Sequence, residues 1–425
     1  MANITKVWAR QIIDSRGQPT VEAACQIDSG HVVTCSVPSG ASTGTHEALE
    51  LRDGDPKRFL GRGVQKAVDN VNQIIGPGII GMDPSDQFGL DQKLQELDGT
   101  ENKSKLGANA ILAASILACK AGAIVRGKGI FVWVHELAKA VGIVGELNKM
   151  PTPLFNMING GLHGAGNLDF QEFWVIPASS KSYSDGLRSG VEIYLTIGEN
   201  LKRRGAIHSV GDEGGYAPNL FTNADALEVF VESIKLTDYR LGRDVFLGLD
   251  VAANSFYKDG EYVIRDMSSP LDEKAMLDYY KQLNSQYRLA ILEDAFHEDA
   301  WNSWRELTNL IGDQVTVMGD DLLVTNPKRL EKAIIEKSCN GILIKPNQIG
   351  TVTETIKVVK QARDAGWKVA TSHRSGETND TFIADFAVGV ISDYAKFGAP
   401  ARGERVGKYN RLSAIEQEIL QNKPQ

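Results

Sequence analysis

From about residue 244 the chain alternates short apolar runs with amphipathic stretches. The runs are "DVFLGLD", "RLAILED", "QVTVMGDD", "GILIK", "WKVATSH" and "YAKFG". Between them, "TNPKRLEKAIIEKSCNG" and "TVTETIKVVKQARDAG" carry apolar residues at helical spacing. In the first of these, Thr325 or Asn326 caps, Pro327 sits near the first turn and Gly341 follows the end. Strands buried on both faces read as unbroken apolar runs, and strand–helix repetition implies parallel pairing. At this length a closed βα barrel fits better than an open doubly wound sheet, and no GxGxxG follows any of the runs.

The first third of the chain has a different pattern. "TVEAACQI" and "HVVTCSV" are β-rich and separated by "DSG", a hairpin signal. "PSGASTGTHE" reads as a surface loop. "LGRGVQKAVDNVNQII" and "GANAILAASILACKAGA" have helical spacing, each closed by glycine. These elements predict a smaller α+β domain over residues 1–140 and the barrel over 141–425, with Pro151 and Pro153 marking a boundary near "ELNKMPTPL".

Each barrel run stops on a polar or charged residue: Asp250, Glu293, Asp320, Lys345, His373 and Lys396. Singly, such residues often cap a helix or lead a side chain out to water. Six in register converge at the C-terminal mouth of a barrel, where active sites of that architecture lie.

Asp250, Glu293 and Asp320 make an all-oxygen set suited to a hard cation such as Mg²⁺, without which three close carboxylates would repel one another. Lys345 and Lys396 share the mouth. Positive surroundings and burial are expected to lower a lysine's pKa, so that one serves as general base and the other as a cationic clamp. Metal, base and clamp together suit removal of a proton next to a carboxylate.

Two further clusters precede this run. "NGGLHGAGNLDFQEFWVIP" carries His163 and Glu172, and "SVGDEGGYAPN" carries Glu213 among glycines. Glu213 is the candidate acid opposite the base, if burial or Glu172 raises its pKa. "SHRSGET" offers Arg374, Ser375 and backbone N–H groups suited to phosphate, and neither it nor "PSGASTG" is a Walker motif.

Charge and composition narrow the function classes. Across 425 residues, 46 Lys+Arg against 54 Asp+Glu leave a net charge of −8, so no counterion-release footprint on nucleic acid or anionic lipid is expected. Cys25, Cys35, Cys119 and Cys339 are scattered without zinc spacing, and the start lacks a signal-peptide core, which together predict a reducing cytoplasm. The most apolar stretch, "ANAILAASILACKAGAIV", is interrupted by Asn109, Ser115 and Lys120 and reads as a buried helix, not a membrane span.

Over nearly its whole length the sequence resembles the enolase family, through "DSRGQPTVEA", "PSGASTG", "DGTENKSKLGANAIL", "NGGLHGAGN", "GDEGGYAPN", "GDDLLVTNP", "KPNQIGTVTET", "SHRSGETND" and "GAPARGERVGKYN". The resemblance implies an α/β fold, a modified TIM-type βα barrel with irregular early strands behind an α+β lid domain. It implies reversible dehydration of 2-phosphoglycerate to phosphoenolpyruvate, the glycolytic lyase reaction, with two Mg²⁺ per active site. Carried over, it makes Asp250, Glu293 and Asp320 ligands of the first magnesium and Ser39 a ligand of a second, substrate-dependent one. It makes Lys345 the base at C2 and Glu213 the acid at the C3 hydroxyl, with Glu172 beside it. Lys396 then clamps the substrate carboxylate, Arg374 and Ser375 contact phosphate, and His163 and His373 lie near substrate. A homodimer or an octamer is implied.

Pro346, Ala295, Asn254, Ser255 and Gln18 depart from the family's usual pattern, which bears on loop geometry more than on reaction type. Two other readings compete. One is a relative that abstracts an α-proton from an unphosphorylated acid, against which the phosphate segments argue. The other is a surface receptor or structural protein, which the ending "NKPQ", without a C-terminal lysine, does not support.

Overall fold

The computed structural model describes residues 2–40, 44–164 and 166–421. Strands β1 (Ile4–Ile13), β2 (Pro19–Ile27) and β3 (Val32–Ser36) form an antiparallel sheet in that order. The expected hairpin is β2–β3, whose turn contains Gly30 at φ +85°, a conformation that suits glycine. β1 carries no clear strand signal in the sequence. Its burial along the strand is irregular, with only Ile4 and Val7 buried, because it is an edge strand.

The helix Ala108–Val125 packs on β2 and β3 and is 83% buried, as its lack of a polar face requires. The other expected helix differs from its prediction. It runs Gln65–Asn70, widens into a π turn at Val71–Ile75 and continues over Gly76–Ile79. Gly76 therefore does not stop it. Its φ is helical at −54°, and a Cβ there would meet Val71 O at 3.0 Å and Val7 Cβ at 3.2 Å. The glycine admits close packing on β1.

Next come β4 (Thr152–Pro153), β5 (Phe155–Asn159), β6 (Glu172–Pro177) and β7 (Val245–Asp250), then a short hairpin of β8 (Tyr257–Lys258) and β9 (Glu261–Tyr262). The remaining strands are β10 (Leu289–Glu293), β11 (Thr316–Gly319), β12 (Gly341–Ile344), β13 (Lys368–Ser372) and β14 (Tyr394–Lys396). The large sheet has the order β4-β14-β13-β12-β11-β10-β7-β6-β5. Only Leu154 separates β4 from β5, and its N–H donates to Ala395 O at 2.9 Å. The segment 152–159 therefore both opens and ends the sheet, which closes it into a barrel. β6 runs antiparallel to β5 and β7, while the later strands are parallel, which is the irregular early part that the resemblance implied.

Alternation along the strands makes two cores. Leu154, Trp174, Ile176, Ile291, Met318, Leu343 and Ala370 fill the barrel, while residues such as Leu292, Val317, Ile342 and Val369 face the helices outside. Both faces are apolar, which is why the sequence showed unbroken runs. Outside, Asn326 caps the helix Pro327–Glu336 by accepting from Lys328 N and Arg329 N, and Lys337 at φ +54° closes it. Of the two capping candidates Asn326 is the one used; Thr325 turns elsewhere.

Candidate active site

All six strand-end residues lie at the C-terminal mouth of the barrel. Asp250, Glu293 and Lys396 are the last residues of β7, β10 and β14, and Asp320, Lys345 and His373 follow β11, β12 and β13 directly. Asp250 and Glu293 stand side by side in the β7–β10 register. Every one of the six is buried or nearly so, and all except Glu293 line a single cavity of about 20 Å³ with His163, Glu172, Glu213, Arg374 and Ser375.

The lysines act as counter-ions. Lys396 Nζ lies 2.8 Å from Asp250 Oδ2, 2.8 Å from Glu293 Oε1 and 3.3 Å from Glu172 Oε1, over the Trp174 ring. Lys345 Nζ is paired with Asp320 Oδ2. This corrects the expectation of a depressed lysine pKa. Burial pushes Lys345 down, but the Asp320 carboxylate outweighs it and the net direction is up. Lys396, likewise buried, is held well above its ordinary value by Asp250, Glu172 and Glu293.

Glu293 is pushed well up by burial and then by the charge of Asp250. Asp250 Oδ1 and Glu293 Oε2 are buried with no hydrogen-bond partner among the described residues. Buried carboxylate oxygens left in that state are costly unless a cation takes them. Oxygen donors of Glu293, Asp294 and Asp320 lie within 4.8 Å of one another. Asp294 was not foreseen. Its two oxygens accept from the backbone N–H of Asp320 (2.9 Å) and Asp321 (2.8 Å), so it braces the end of β11. The buried carboxylates fit a metal ion, and an all-oxygen donor set favours a hard divalent one.

In the same cavity, His163 Nδ1 sits between Glu172 Oε1 (3.5 Å) and Glu213 Oε1 (3.4 Å). Burial pulls His163 down, and the two carboxylates outweigh it and raise it. Burial and the Glu213 charge raise Glu172. The rise expected at Glu213 is not found. Burial pushes it up, but the imidazoles of His373 and His163 with the Arg405 guanidinium hold it well below the usual range. Burial brings His373 down to about 3. Arg405 Nη1, which can only donate, lies 2.6 Å from His373 Nδ1, so the ring proton is on Nε2, 3.2 Å from Glu213 Oε2. His373 therefore bears on Glu213 as a neutral dipole.

Arg374 is 3% exposed and is held by Glu47, Nη1 to Oε2 at 3.0 Å and Nη2 to Oε1 at 3.2 Å. Arg405 secures the same turn by donating to Arg374 O and Ser375 O, both at 2.6 Å. Ser39 is not brought to the carboxylates. Its hydroxyl donates to Asp14 Oδ2 at 3.0 Å, and its backbone pairs with Gly376. The loop serine thus anchors the N-terminal domain to the turn at Arg374–Gly376.

Sequence reasoning missed Glu47, Asn156, Gln171 and Arg405. Asn156 donates to Glu213 (3.2 Å) and Gln171 to Asp250 (3.1 Å). Gln171 directly precedes β6, where strand alternation would put it on the face opposite Glu172, so the pattern hides it; Glu47 and Arg405 have no local signal. Among the departures from pattern, Asn254 ties two loops, donating to Asp321 Oδ2 at 3.0 Å and accepting from Glu298 N at 2.9 Å.

Two family descriptions match this chain: "Enolase, N-terminal domain" over residues 4–134 and "Enolase, C-terminal TIM barrel domain" over residues 147–424. Fold, strand-end carboxylates and both matches agree, and the chain belongs to the enolase family.

Proposed function

We propose that the protein interconverts 2-phosphoglycerate and phosphoenolpyruvate. The observation that carries this reading is the convergence of two buried lysines on strand-end carboxylates, with Glu213 across the same cavity. Lys345 removes the C2 proton, Lys396 holds the substrate carboxylate, and Arg374 with Ser375 receives the phosphate. Glu213 is ionised in this structure, so it first takes a proton from His163, 3.4 Å away and raised by its two carboxylate neighbours, and then delivers it as the C3 hydroxyl leaves. Asp250, Glu293 and Asp320 would hold a Mg²⁺ ion, which, with a second one bound alongside substrate, would supply positive charge where negative charge develops. Loss of Asp320's hold on its ammonium is what frees Lys345 to act as base.

Absorbance of phosphoenolpyruvate, followed from 2-phosphoglycerate with Mg²⁺ and then with excess chelator, tests the reading. A chelator-sensitive rise is expected; folded protein that gives none refutes it. The Glu47–Arg374 pair favours a second reading, an unphosphorylated acid, since it already neutralises the guanidinium. Glycerate under the same conditions separates the two. A cytoplasmic setting is proposed on the four buried thiols, and a homodimer or octamer on family grounds, checked by solution scattering.

A further inference from the structure

Gln348 lies in none of the roles assigned above, yet its amide touches both halves of the site. Its Nε2 donates to Asp320 Oδ1 at 3.2 Å and to Glu47 Oε1 at 3.3 Å. Its Oε1 accepts from Thr325 Oγ1 at 2.7 Å, and that hydroxyl accepts in turn from Lys345 N at 3.0 Å. The amide orientation follows from chemistry, because the reverse flip would aim a carbonyl oxygen at two carboxylates. Gln348 is 2% exposed and Thr325 is fully buried, so water does not compete for these bonds.

Backbone strain marks the same place. Val324 and Thr325 sit at φ +43° and +51°, left-handed values that strain a β-branched residue. The turn is built on Asp320, whose carbonyl accepts from Leu323 N and Val324 N. It turns Thr325 back onto Gln348 and Lys345. The result is a continuous chain of contacts: Arg374, Glu47, Gln348, Asp320, Lys345.

We propose that Gln348 is a positioning residue that couples the anion-binding arginine to the carboxylate and lysine on which the chemistry depends. The inference rests on the reading of Arg374 as the phosphate contact. One amide nitrogen serves two carboxylates. When a cation takes the charge of Asp320, the amide shifts its hydrogen bonding toward Glu47, which loosens Glu47's grip on Arg374. An arriving phosphate, drawing Arg374 off Glu47, leaves Glu47 short of a donor and pulls the amide the same way, off Asp320, which leaves that carboxylate to the cation. Cation and phosphate therefore strengthen each other's binding, and by linkage the effect is reciprocal.

The test measures binding of inorganic phosphate to the full chain by calorimetry, with and without saturating Mg²⁺, in wild type, Gln348→Leu and Thr325→Val. Wild type should bind phosphate more tightly with Mg²⁺. Gln348→Leu should shrink that ratio by about threefold or more, and Thr325→Val, which frees the amide from its far side, should shrink it in part. An unchanged ratio in folded Gln348→Leu overturns the proposal, as does a wild type whose phosphate affinity ignores Mg²⁺. If Gln348→Leu does not fold, an unchanged ratio in Thr325→Val overturns it instead. Turnover is not needed for this measurement. Wild type that makes no phosphoenolpyruvate, while its Mg²⁺ dependence still shrinks in the variants, would refute the proposed reaction and leave the coupling standing.

Discussion

Lys345 shows how much one residue's chemistry depends on its neighbours. "GILIK" places it at a strand end, but only the fold reveals that Asp320 keeps it protonated. Lys345→Ala should abolish exchange of the C2 proton with solvent, whereas Glu213→Gln should keep some exchange and lose dehydration; proton NMR of substrate in D₂O reads both. Normal exchange in both variants would show that Lys345 is not the base. Far from the site, burial pushes Asp91 up to about 6 from an ordinary 3.8, while Ser115, Gln87 and Thr353 N donate to it. Between those values the folded chain holds a proton that the unfolded chain has released. Its contribution therefore falls as pH rises from about 4 to about 6, by roughly 3 kcal/mol, and is constant above. Urea unfolding across that range should show Asp91→Asn gaining stability relative to wild type as pH rises from about 4 to about 6.

At the scale of elements, strand positions were legible because barrel strands are buried on both faces and end on polar residues. Asp250 through Lys396 could be placed from sequence for that reason. β1 was not legible, because an edge strand has no clean alternation, nor was the π turn at Val71–Ile75, which depends on packing against β1. Contacts far apart in sequence, such as Glu47 with Arg374 or Arg405 with His373, leave no local trace. Helix ends carry some avoidable cost. Arg288 and Lys337 close their helices at φ +51° and +54°, and both are exposed. Arg288→Gly and Lys337→Gly should each gain about 0.5–1 kcal/mol by relieving that conformation, seen as a higher melting temperature. A loss in both would mean that their side chains do more than cap.

For the whole molecule, the N-terminal elements are fastened to the barrel by buried polar contacts. Lys103 pairs with Glu354 at 2.8 Å, Lys120 with Asp380 at 2.7 Å, and Asp91 accepts from Thr353 N. A cation that binds the strand-end carboxylates only in the folded form stabilises the whole assembly. Mg²⁺ at about 100 times its dissociation constant should add about 2.7 kcal/mol, visible as a thermal shift that chelator reverses. No shift would argue that the buried carboxylates are satisfied by Lys345 and Lys396 alone.

Closure of the barrel through the 152–159 segment also constrains how the protein is made. Thr152 pairs with Tyr394, so the seam joins residues from opposite ends of the barrel's sequence. During synthesis both edges of the growing sheet stay open until the final strand emerges from the ribosome, and open edges invite pairing between chains. A ribosome stalled before residue 394 would therefore carry an unsealed, aggregation-prone sheet however well its earlier strands had formed.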